Sequence, residues 1–297
     1  MRIDGPCAGI CKLTGAIAVG LCLLNASAQP ANSPSSGKME LLRLRSKVFS
    51  NTRTIRVWLP PGYESPAASH ERYPVFYFTD GVAVFHGRQL DRIAGELIAA
   101  HQIPPTIFVG IDNGGSTKES KTPGTDRANE YLPFPDEFLS PPLPEPHGKL
   151  FPAFFEHEVR PLVERGYRTN GEIGIAGSSY GGLIALYTAL KRSQEFRWLL
   201  LESPSLYVAD DASLKMAAAQ KGWPSRVYVG AGTDEGEGDS KREMVDDVNK
   251  LMRAVGQRTA TCLVIANGAQ HNEDAWRARL PFALRFLLGS ADCPSMK

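Results

Sequence analysis

Through the second half of the chain, short apolar runs alternate with segments of helical spacing. The apolar runs predict strands at 171–176, 198–201, 226–230 and 259–265. The segments between and around them predict helices at about 151–165, from 180 through 190, at 241–255 and at 274–288. Continuously apolar strands separated by helices are typical of a mostly parallel sheet that is covered by helices on both faces. The pattern therefore predicts an α/β fold.

The first half of the chain adds strands to the same sheet. Residues 73–78 and 105–111 are apolar runs, and residues 89–100 between them have helical spacing. Earlier still, residues 41–50 and 52–59 are extended runs, and the second ends at Pro60-Pro61-Gly62. Such a pair predicts an antiparallel hairpin. We therefore expect one α/β domain over residues 41–290, with an antiparallel N-terminal hairpin on a mostly parallel sheet.

The first 28 residues differ from the rest of the chain. Arg2 and Lys12 precede or border an apolar run at 13–24, and Ala26-Ser27-Ala28 follows. A basic start, a short apolar run and an A-x-A site predict a secretory signal peptide. The run is shorter than the ~20 residues that a membrane helix needs. We expect cleavage after residue 28, a polar linker at 29–40, no stable membrane anchor, and a periplasmic or secreted mature protein.

The cysteines bear on a possible disulfide, and the net charge bears on the binding partners. Two of the five cysteines, Cys262 and Cys293, remain after the predicted cleavage. In an oxidising compartment they could form a disulfide, or they could be two unrelated thiols. The formal net charge is +1, and no basic stripe stands out. We therefore do not expect nucleic acid as a binding partner.

A long segment at about 113–150 is rich in Gly and Pro. A stretch of this length without regular structure is usually functional or mobile. Tyr131, Phe134 and Phe138 supply apolar material that could cover a pocket. We therefore expect a lid-like or substrate-binding loop, with a simple surface excursion as the alternative.

The motif Gly177-x-Ser179-x-Gly181 lies between an apolar strand and a helix with small residues. In this context it predicts a nucleophile elbow, a tight turn that exposes the serine hydroxyl at the edge of the sheet. The turn also places the Tyr180 N–H at a helix N-terminus, where it can bind an oxyanion. We expect a second oxyanion donor in the turn at Gly81 and Val82.

A serine nucleophile needs a base, and the base needs a carboxylate to orient it. In the fold that carries this elbow, the partners follow in the order Ser, acid, His. His271 is the only histidine after Ser179. The acid should lie in the loop after the strand at 226–230, where Glu235 is favoured, Asp234 is second and Glu237 is third.

These residues resemble the putative-esterase family of α/β hydrolases, which includes esterase D, enterochelin esterase-like enzymes, some feruloyl and acetylxylan esterases, and mycolyltransferases. The resemblance covers residues 53–288. It is carried by RVWLPPGY at 56–63, FTDG at 78–81, VGID at 109–112, RANEYLP at 127–133, GYRT at 166–169, AGSSYGG at 176–182, SPS at 203–205, and HNE at 271–273 with Trp276. It implies an α/β-hydrolase fold, a triad of Ser179, Glu235 and His271, and neither metal nor cofactor.

The expected function is hydrolysis of a small carboxylic ester through an acyl-enzyme. We expect Arg127, Tyr131 and Asp80 to contact the substrate. An ester-linked siderophore is favoured, because Lys118, Lys121 and Arg127 could attract a catecholate. The alternatives are a feruloyl or acetylxylan esterase, an acyltransferase with the same triad, and a non-catalytic binding protein. The sequence leaves the oligomeric state open.

Overall fold

The computed structural model describes residues 37–236 and 240–293. The predicted signal peptide at 1–28, most of the predicted linker, and Glu237 lie outside the described residues.

The described residues form an eight-stranded sheet in the order β1-β2-β4-β3-β5-β6-β7-β8. The strands are β1 (Lys38–Arg45), β2 (Thr52–Leu59), β3 (Tyr73–Thr79), β4 (Ile107–Ile111), β5 (Thr169–Ser178), β6 (Trp198–Glu202), β7 (Arg226–Gly232) and β8 (Ala260–Ala266). β1 pairs antiparallel with β2, and β2 pairs antiparallel with β4. All other neighbours are parallel. The mostly parallel sheet with an antiparallel N-terminal hairpin is confirmed.

The described residues contain eight α-helical segments, of which seven lie between strands and the last follows β8. They are α1 (Leu90–Ala99), α2 (Pro123–Tyr131), α3 (Phe151–Phe154), α4 (Arg160–Gly166), α5 (Tyr180–Lys191), α6 (Val208–Ala219), α7 (Ser240–Val255) and α8 (Glu273–Leu288). A π-helical turn at Phe155–Val159 joins α3 to α4, so the predicted helix at 151–165 is continuous but not uniform. α6 was not predicted, and three consecutive residues near its start, Ala209, Asp210 and Asp211, have left-handed backbone angles.

Successive residues of a strand point to opposite faces of the sheet, and both faces are buried here. On β3, Phe76 and Phe78 belong to the core cluster that also contains residues of α1 and α8. Val75 and Tyr77 belong to the cluster that contains residues of α3, α5 and α7. This double burial explains why the central strands read as continuous apolar runs, and it confirms helices on both faces.

The bounds of the first strand and the character of the segment at 113–150 differ from the sequence prediction. β1 begins at Lys38, inside the predicted linker, and ends at Arg45 rather than at residue 50. The backbone groups of Lys38 to Arg45 pair with β2 along their whole length, which brings residues 38–40 into the domain. The segment at 113–150 is not structureless either, because it contains α2.

Cys262 and Cys293 form a disulfide, with their Cα atoms 5.1 Å apart. Cys262 lies fully buried on β8, so the bridge fastens the chain beyond α8 to the sheet. Among residues 37–236 and 240–293, no helix combines the length and the apolar character that crossing a membrane requires.

Candidate active site

Ser179 occupies a sharp turn between the end of β5 and the start of α5. Its backbone angles, φ 56° and ψ −129°, lie in a region that residues with a side chain rarely adopt. Its N–H donates to the carbonyl of Glu202, and its carbonyl accepts from Leu183 and Ser205. These bonds hold the strained turn, and strain of this kind is concentrated at functional sites.

The two glycines of the motif are required by close backbone approach. A Cβ atom on Gly177 would lie 2.0 Å from the carbonyl oxygen of Gly181, and one on Gly181 would lie 2.5 Å from the Thr79 hydroxyl. Neither position can take a side chain without moving β3 or α5. The G-x-S-x-G spacing is therefore a packing requirement of the turn that presents Ser179.

His271 follows β8 and stands just before α8, whose N-terminus is capped by the Asn272 side chain. Its Nδ1 lies 2.9 Å from Oε2 of Glu235, and its side chain remains about one-third exposed, at 35%. Glu235 follows β7 and is almost fully buried. This pairing leaves Nε2 of His271 for the cavity that it shares with Ser179.

The structure distinguishes two of the three candidate acids. Only Glu235, among the described candidates, pairs with His271. The backbone N–H of Asp234 donates to the carbonyl of Ala269, which ties the β7 loop to the loop before His271. Glu237, the third candidate, lies outside the described residues.

The second oxygen of Glu235 is also fully occupied. Oε1 accepts from the Gly232 N–H at 2.5 Å and from the Ser203 hydroxyl at 2.7 Å. The Arg279 guanidinium lies 3.8 Å from the same oxygen. Arg279 itself pairs with the buried Glu202 at 2.8 Å. Burial raises the pKa of the Glu202 carboxyl, and the neighbouring Arg279 opposes that rise.

The expected oxyanion donors lie on either side of Ser179. Tyr180 is the first residue of α5, so its N–H has no carbonyl within the helix to bond. Val82 lines a cavity together with Ser179. Gly81 packs against Gly110 of β4, where a Cβ atom would lie 2.7 Å from the Gly110 carbonyl carbon. The turn after β3 therefore reaches the edge of the sheet where Ser179 stands.

Of the expected substrate contacts, Arg127 and Asp80 line a cavity with Ser179 and Tyr131 does not. Arg127 binds both oxygens of Asp80, at 2.8 and 2.7 Å, and Asn113 donates to the same carboxylate. Tyr131 is fully buried, and its hydroxyl accepts a hydrogen bond from the Asp80 backbone N–H. The expectation that Tyr131 contacts substrate is wrong, because its hydroxyl is used inside the protein to fix Asp80.

The expected cationic residues of the long segment are dispersed. Lys118 lines a separate surface depression beside Leu41 and Arg56, and Lys121 is exposed. Only Arg127 of the three lines a cavity that contains Ser179, and its guanidinium is already paired with Asp80.

Two cavities meet at Ser179 and His271. The larger, of about 620 Å³, is lined by aromatic and apolar side chains and by carboxylates: Phe138, Tyr180, Tyr207, Met244, Glu235, Glu243 and Asp247, with Ser205 and Gly236. The smaller, of about 450 Å³, is lined by Asp80, Val82, Ala83, Asn113, Ser116, Arg127, Ser178, Glu273 and Trp276. A scissile bond at Ser179 thus has space on two sides.

Asp136, from the segment at 113–150, holds the wall of the larger cavity. It is buried, and one of its oxygens accepts from the hydroxyls of Tyr180 at 2.5 Å and Tyr207 at 3.2 Å. Burial raises the pKa of both tyrosines, which keeps them protonated as donors. Phe138, two residues further on, remains 82% exposed at the cavity rim. The segment at 113–150 is therefore fastened to residues beside the nucleophile.

Sequence reasoning missed Asp136 and gave no role to Ser203, Trp276 or Arg88. Ser203 and Trp276 stood in the stretches that carried the family resemblance, which was the available signal. Trp276 lies in the first turn of α8, which brings its ring to 5.0 Å from the ring of His271. Asp136 gave no signal, because a single acid in a Pro-rich segment resembles any solvated loop residue.

The arrangement can move a proton between a serine and a bound group. Nothing in residues 37–236 and 240–293 groups three or more His, Cys, Asp or Glu side chains in a way that could hold a metal ion. His271, which is paired with the buried Glu235, lines both cavities with Ser179, and the Tyr180 N–H stands at the N-terminus of α5. Such a set can activate a hydroxyl and stabilise an oxyanion.

Known proteins resemble this chain in sequence and in fold. The profile of a family described as "Putative esterase" matches residues 46–287. Ferri-bacillibactin esterase BesA of Bacillus subtilis (strain 168) is 27% identical over 226 residues, which cover 68% of this chain and 72% of BesA. An IroE-like serine hydrolase from Shewanella oneidensis superimposes with a TM-score of 0.69 at 22% identity, covering 84% of this chain and 80% of the other. A ferulic acid esterase superimposes with a TM-score of 0.64 at 19% identity, covering 85% and 98%.

Proposed function

This chain belongs to the putative-esterase family and is an ester-hydrolysing enzyme, and we propose that it works as a secreted serine esterase through an acyl-enzyme on Ser179. One observation carries the proposal. Ser179 stands on a strained elbow and shares its cavities with His271, whose other ring nitrogen is 2.9 Å from the buried Glu235.

In the proposed reaction, His271 Nε2 takes the hydroxyl proton as Ser179 Oγ bonds to the ester carbonyl carbon. The carbonyl oxygen becomes an oxyanion, which the N–H groups of Tyr180 and of the Gly81–Val82 turn stabilise. The bond to the alcohol oxygen then breaks, and the imidazolium returns its proton to that oxygen. Water repeats the sequence on the acyl-enzyme and releases the acid and free Ser179.

Glu235 has the supporting role in this scheme. Its Oε2 lies next to Nδ1 of His271, where a carboxylate fixes the tautomer and stabilises the imidazolium that forms. The Gly232 N–H and the Ser203 hydroxyl donate to Oε1 and hold the buried carboxylate in this orientation.

For the substrate, we propose a small ester-linked siderophore or a related aromatic ester. The aromatic lining of the larger cavity, Phe138, Tyr180 and Tyr207, suits a planar aryl group. The likeness to BesA, whose name gives ferri-bacillibactin as its substrate, favours the siderophore. The likeness to a ferulic acid esterase and the same aromatic cavity favour a feruloyl or other carbohydrate ester as the second candidate.

We propose that the enzyme is exported and works in the periplasm or outside the cell. The predicted signal peptide supports this, and so does the disulfide between Cys262 and Cys293, because such bonds persist in oxidising compartments. Expression of the full chain with N-terminal sequencing of the mature product tests it. A mature N-terminus at Gln29 in the exported fraction supports export, and an intact leader in the cytosol contradicts it.

The proposed chemistry is tested on residues 29–297 with p-nitrophenyl acetate and butyrate, beside Ser179→Ala and His271→Ala. Loss of a triad residue lowers turnover by up to about a millionfold. Both variants should fall to background. Retention of wild-type activity by Ser179→Ala would sink the mechanism.

Substrate choice is tested by comparing kcat/KM for a catecholoyl-serine trilactone, methyl ferulate and acetylated xylan. The siderophore proposal expects the trilactone to be hydrolysed fastest. A large excess for feruloyl or acetyl esters would favour the carbohydrate esterase instead. Adding a sugar acceptor and analysing the products separates hydrolysis from acyl transfer, since transfer yields an acylated sugar in place of free acid.

A further inference from the structure

We propose that Ser203 and Trp276 form a hydrogen-bonded relay that positions Glu235, and that both are therefore positioning residues for ester hydrolysis. The inference rests on the triad proposed above. It adds two side chains outside the triad whose hydrogen bonds end on the triad acid. Ser203 lines neither cavity at Ser179, and Trp276 lines the smaller one.

The relay runs in one direction. The Trp276 indole N–H donates to the Ser203 hydroxyl oxygen at 2.9 Å, and the Ser203 hydroxyl donates to Oε1 of Glu235 at 2.7 Å. Ser203 is fully buried and Trp276 is 7% exposed, so water does not compete freely for these bonds. An indole N–H can only donate, which obliges the Ser203 proton to point away from it, toward Glu235.

The backbone of Ser203 is set for this task. The residue follows β6 directly, and its φ of 46° lies in the left-handed region that side chains rarely occupy. Its N–H donates to the Gly230 carbonyl of β7 at 2.7 Å. This bond joins β6, which leads to Ser203, to β7, which leads to Glu235, five residues before the carboxylate.

Trp276 also packs against His271, the residue with which Glu235 is paired. Its ring meets the ring of His271 edge-on, with centroids 5.0 Å apart and planes at 83°. On the other side, the Arg88 guanidinium lies over the indole at 4.8 Å and is held by Glu273 at 2.7 Å. One side chain therefore packs on the imidazole and, through Ser203, orients the carboxylate that the imidazole must meet.

This geometry predicts which kinetic constant changes. Ser203 lines neither cavity at Ser179, so loss of its hydroxyl should lower kcat and leave KM close to the wild-type value. A general loss of packing around the site would not separate kcat from KM in this way.

The test uses Ser203→Ala, Trp276→Phe and the double variant of the full mature chain, assayed for kcat and KM with p-nitrophenyl butyrate. Two matched controls come from the same molecule. Ser213 is fully buried and the Trp223 indole N–H is enclosed, and neither has a hydrogen-bond partner within the described residues. Ser213→Ala and Trp223→Phe therefore make the same chemical changes without breaking a relay.

We expect kcat to fall ~10- to 100-fold in Ser203→Ala, the range for a lost hydrogen bond to a charged group. Trp276→Phe removes the indole N–H together with the five-membered part of the ring, and it should lose less because the Ser203 hydroxyl still donates to Glu235. Since the Trp276 N–H acts on Glu235 only through Ser203, the loss in the double variant should fall short of the sum of the two single losses. The control variants should stay within twofold of wild type.

Three results would overturn the relay. They are a wild-type kcat in Ser203→Ala, additive losses in the double variant, or equal losses in the two controls. Thermal unfolding of each variant identifies any that do not fold, and Ser203→Ala, which removes one buried atom, then decides alone. Ser179→Ala serves as reference: if it stays active, the triad proposal itself has failed, whereas an inactive Ser179→Ala beside a normal Ser203→Ala refutes only the relay.

Discussion

The disulfide encloses the part of the chain that carries the proposed base. Cys262 lies on β8 and Cys293 lies beyond α8, so the 31-residue separation includes His271 and the whole of α8. In the chain-entropy model, a loop of that length restricts the unfolded state by about 3.7 kcal/mol at 25 °C. A domain of this size loses about 2–4 °C of melting temperature per kcal/mol. Cys293→Ser should therefore melt about 7–15 °C lower than the oxidised wild type.

The same variant should keep its activity at 25 °C. α8 is held to the sheet by buried residues such as Leu280, Leu284 and Leu287, which do not depend on the bridge. Cys262 stays in place as a buried core residue. Thermal unfolding followed by circular dichroism, with and without a reducing agent, measures the shift. Reduction should lower the melting temperature of wild type and leave Cys293→Ser unchanged.

A melting temperature of Cys293→Ser within 2 °C of the oxidised wild type would refute the loop-entropy argument. Loss of activity in folded Cys293→Ser at 25 °C would refute the claim that packing of α8 alone positions His271.

The other predictions concern the acid, the cavity wall and the buried ion pair. Glu235→Gln should lower kcat by about 10⁴-fold, as loss of the orienting carboxylate does in serine triads, whereas Asp234→Asn should change it by less than tenfold; comparable losses in steady-state assays would show that the acid is misassigned. Asp136→Ala releases the Tyr180 and Tyr207 hydroxyls, so KM should rise several-fold for an arylpropanoyl ester and stay within twofold for an acetyl ester, with Asp136→Asn in between; an equal rise for both esters would contradict the role of the clamp. Arg279→Met leaves Glu202 unpaired and should reduce the free energy of unfolding by about 3–5 kcal/mol at pH 7. Burial raises the pKa of Glu202 in the folded state above its ordinary value of about 4.3, so Arg279→Met should lose stability as pH rises above that value and regain it toward pH 4. Urea unfolding at pH 4 and pH 7 measures the difference, and an equal loss at both would contradict this cause.

The sequence was sufficient for features that depend on local order along the chain. The strand, turn and helix around Ser179 are contiguous, so the apolar run before it and the two glycines predicted the elbow geometry that the structure has. His271 was found by elimination, because it alone follows Ser179. The parallel sheet was predicted from continuously apolar strands, because a strand needs apolar residues on both of its sides only where both faces of the sheet are buried.

Features that depend on which way a side chain points were beyond the sequence. Asp234 and Glu235 are adjacent, and only the turn after β7 decides which carboxylate meets His271. Tyr131 was expected at the substrate, but its hydroxyl bonds the Asp80 backbone inside the protein. α6 escaped prediction because its first turns include three left-handed residues, at 209–211, which no helical period anticipates.

The measurement that tests the central claim most directly is covalent labelling of Ser179. Residues 29–297 are treated with a fluorophosphonate, and the modified peptide is identified by mass spectrometry, beside His271→Ala and Ser179→Ala. The account predicts a single adduct on Ser179 in wild type, much slower labelling in His271→Ala, and none at that peptide in Ser179→Ala. Folded wild type that hydrolyses p-nitrophenyl butyrate but carries no adduct on Ser179 would contradict it.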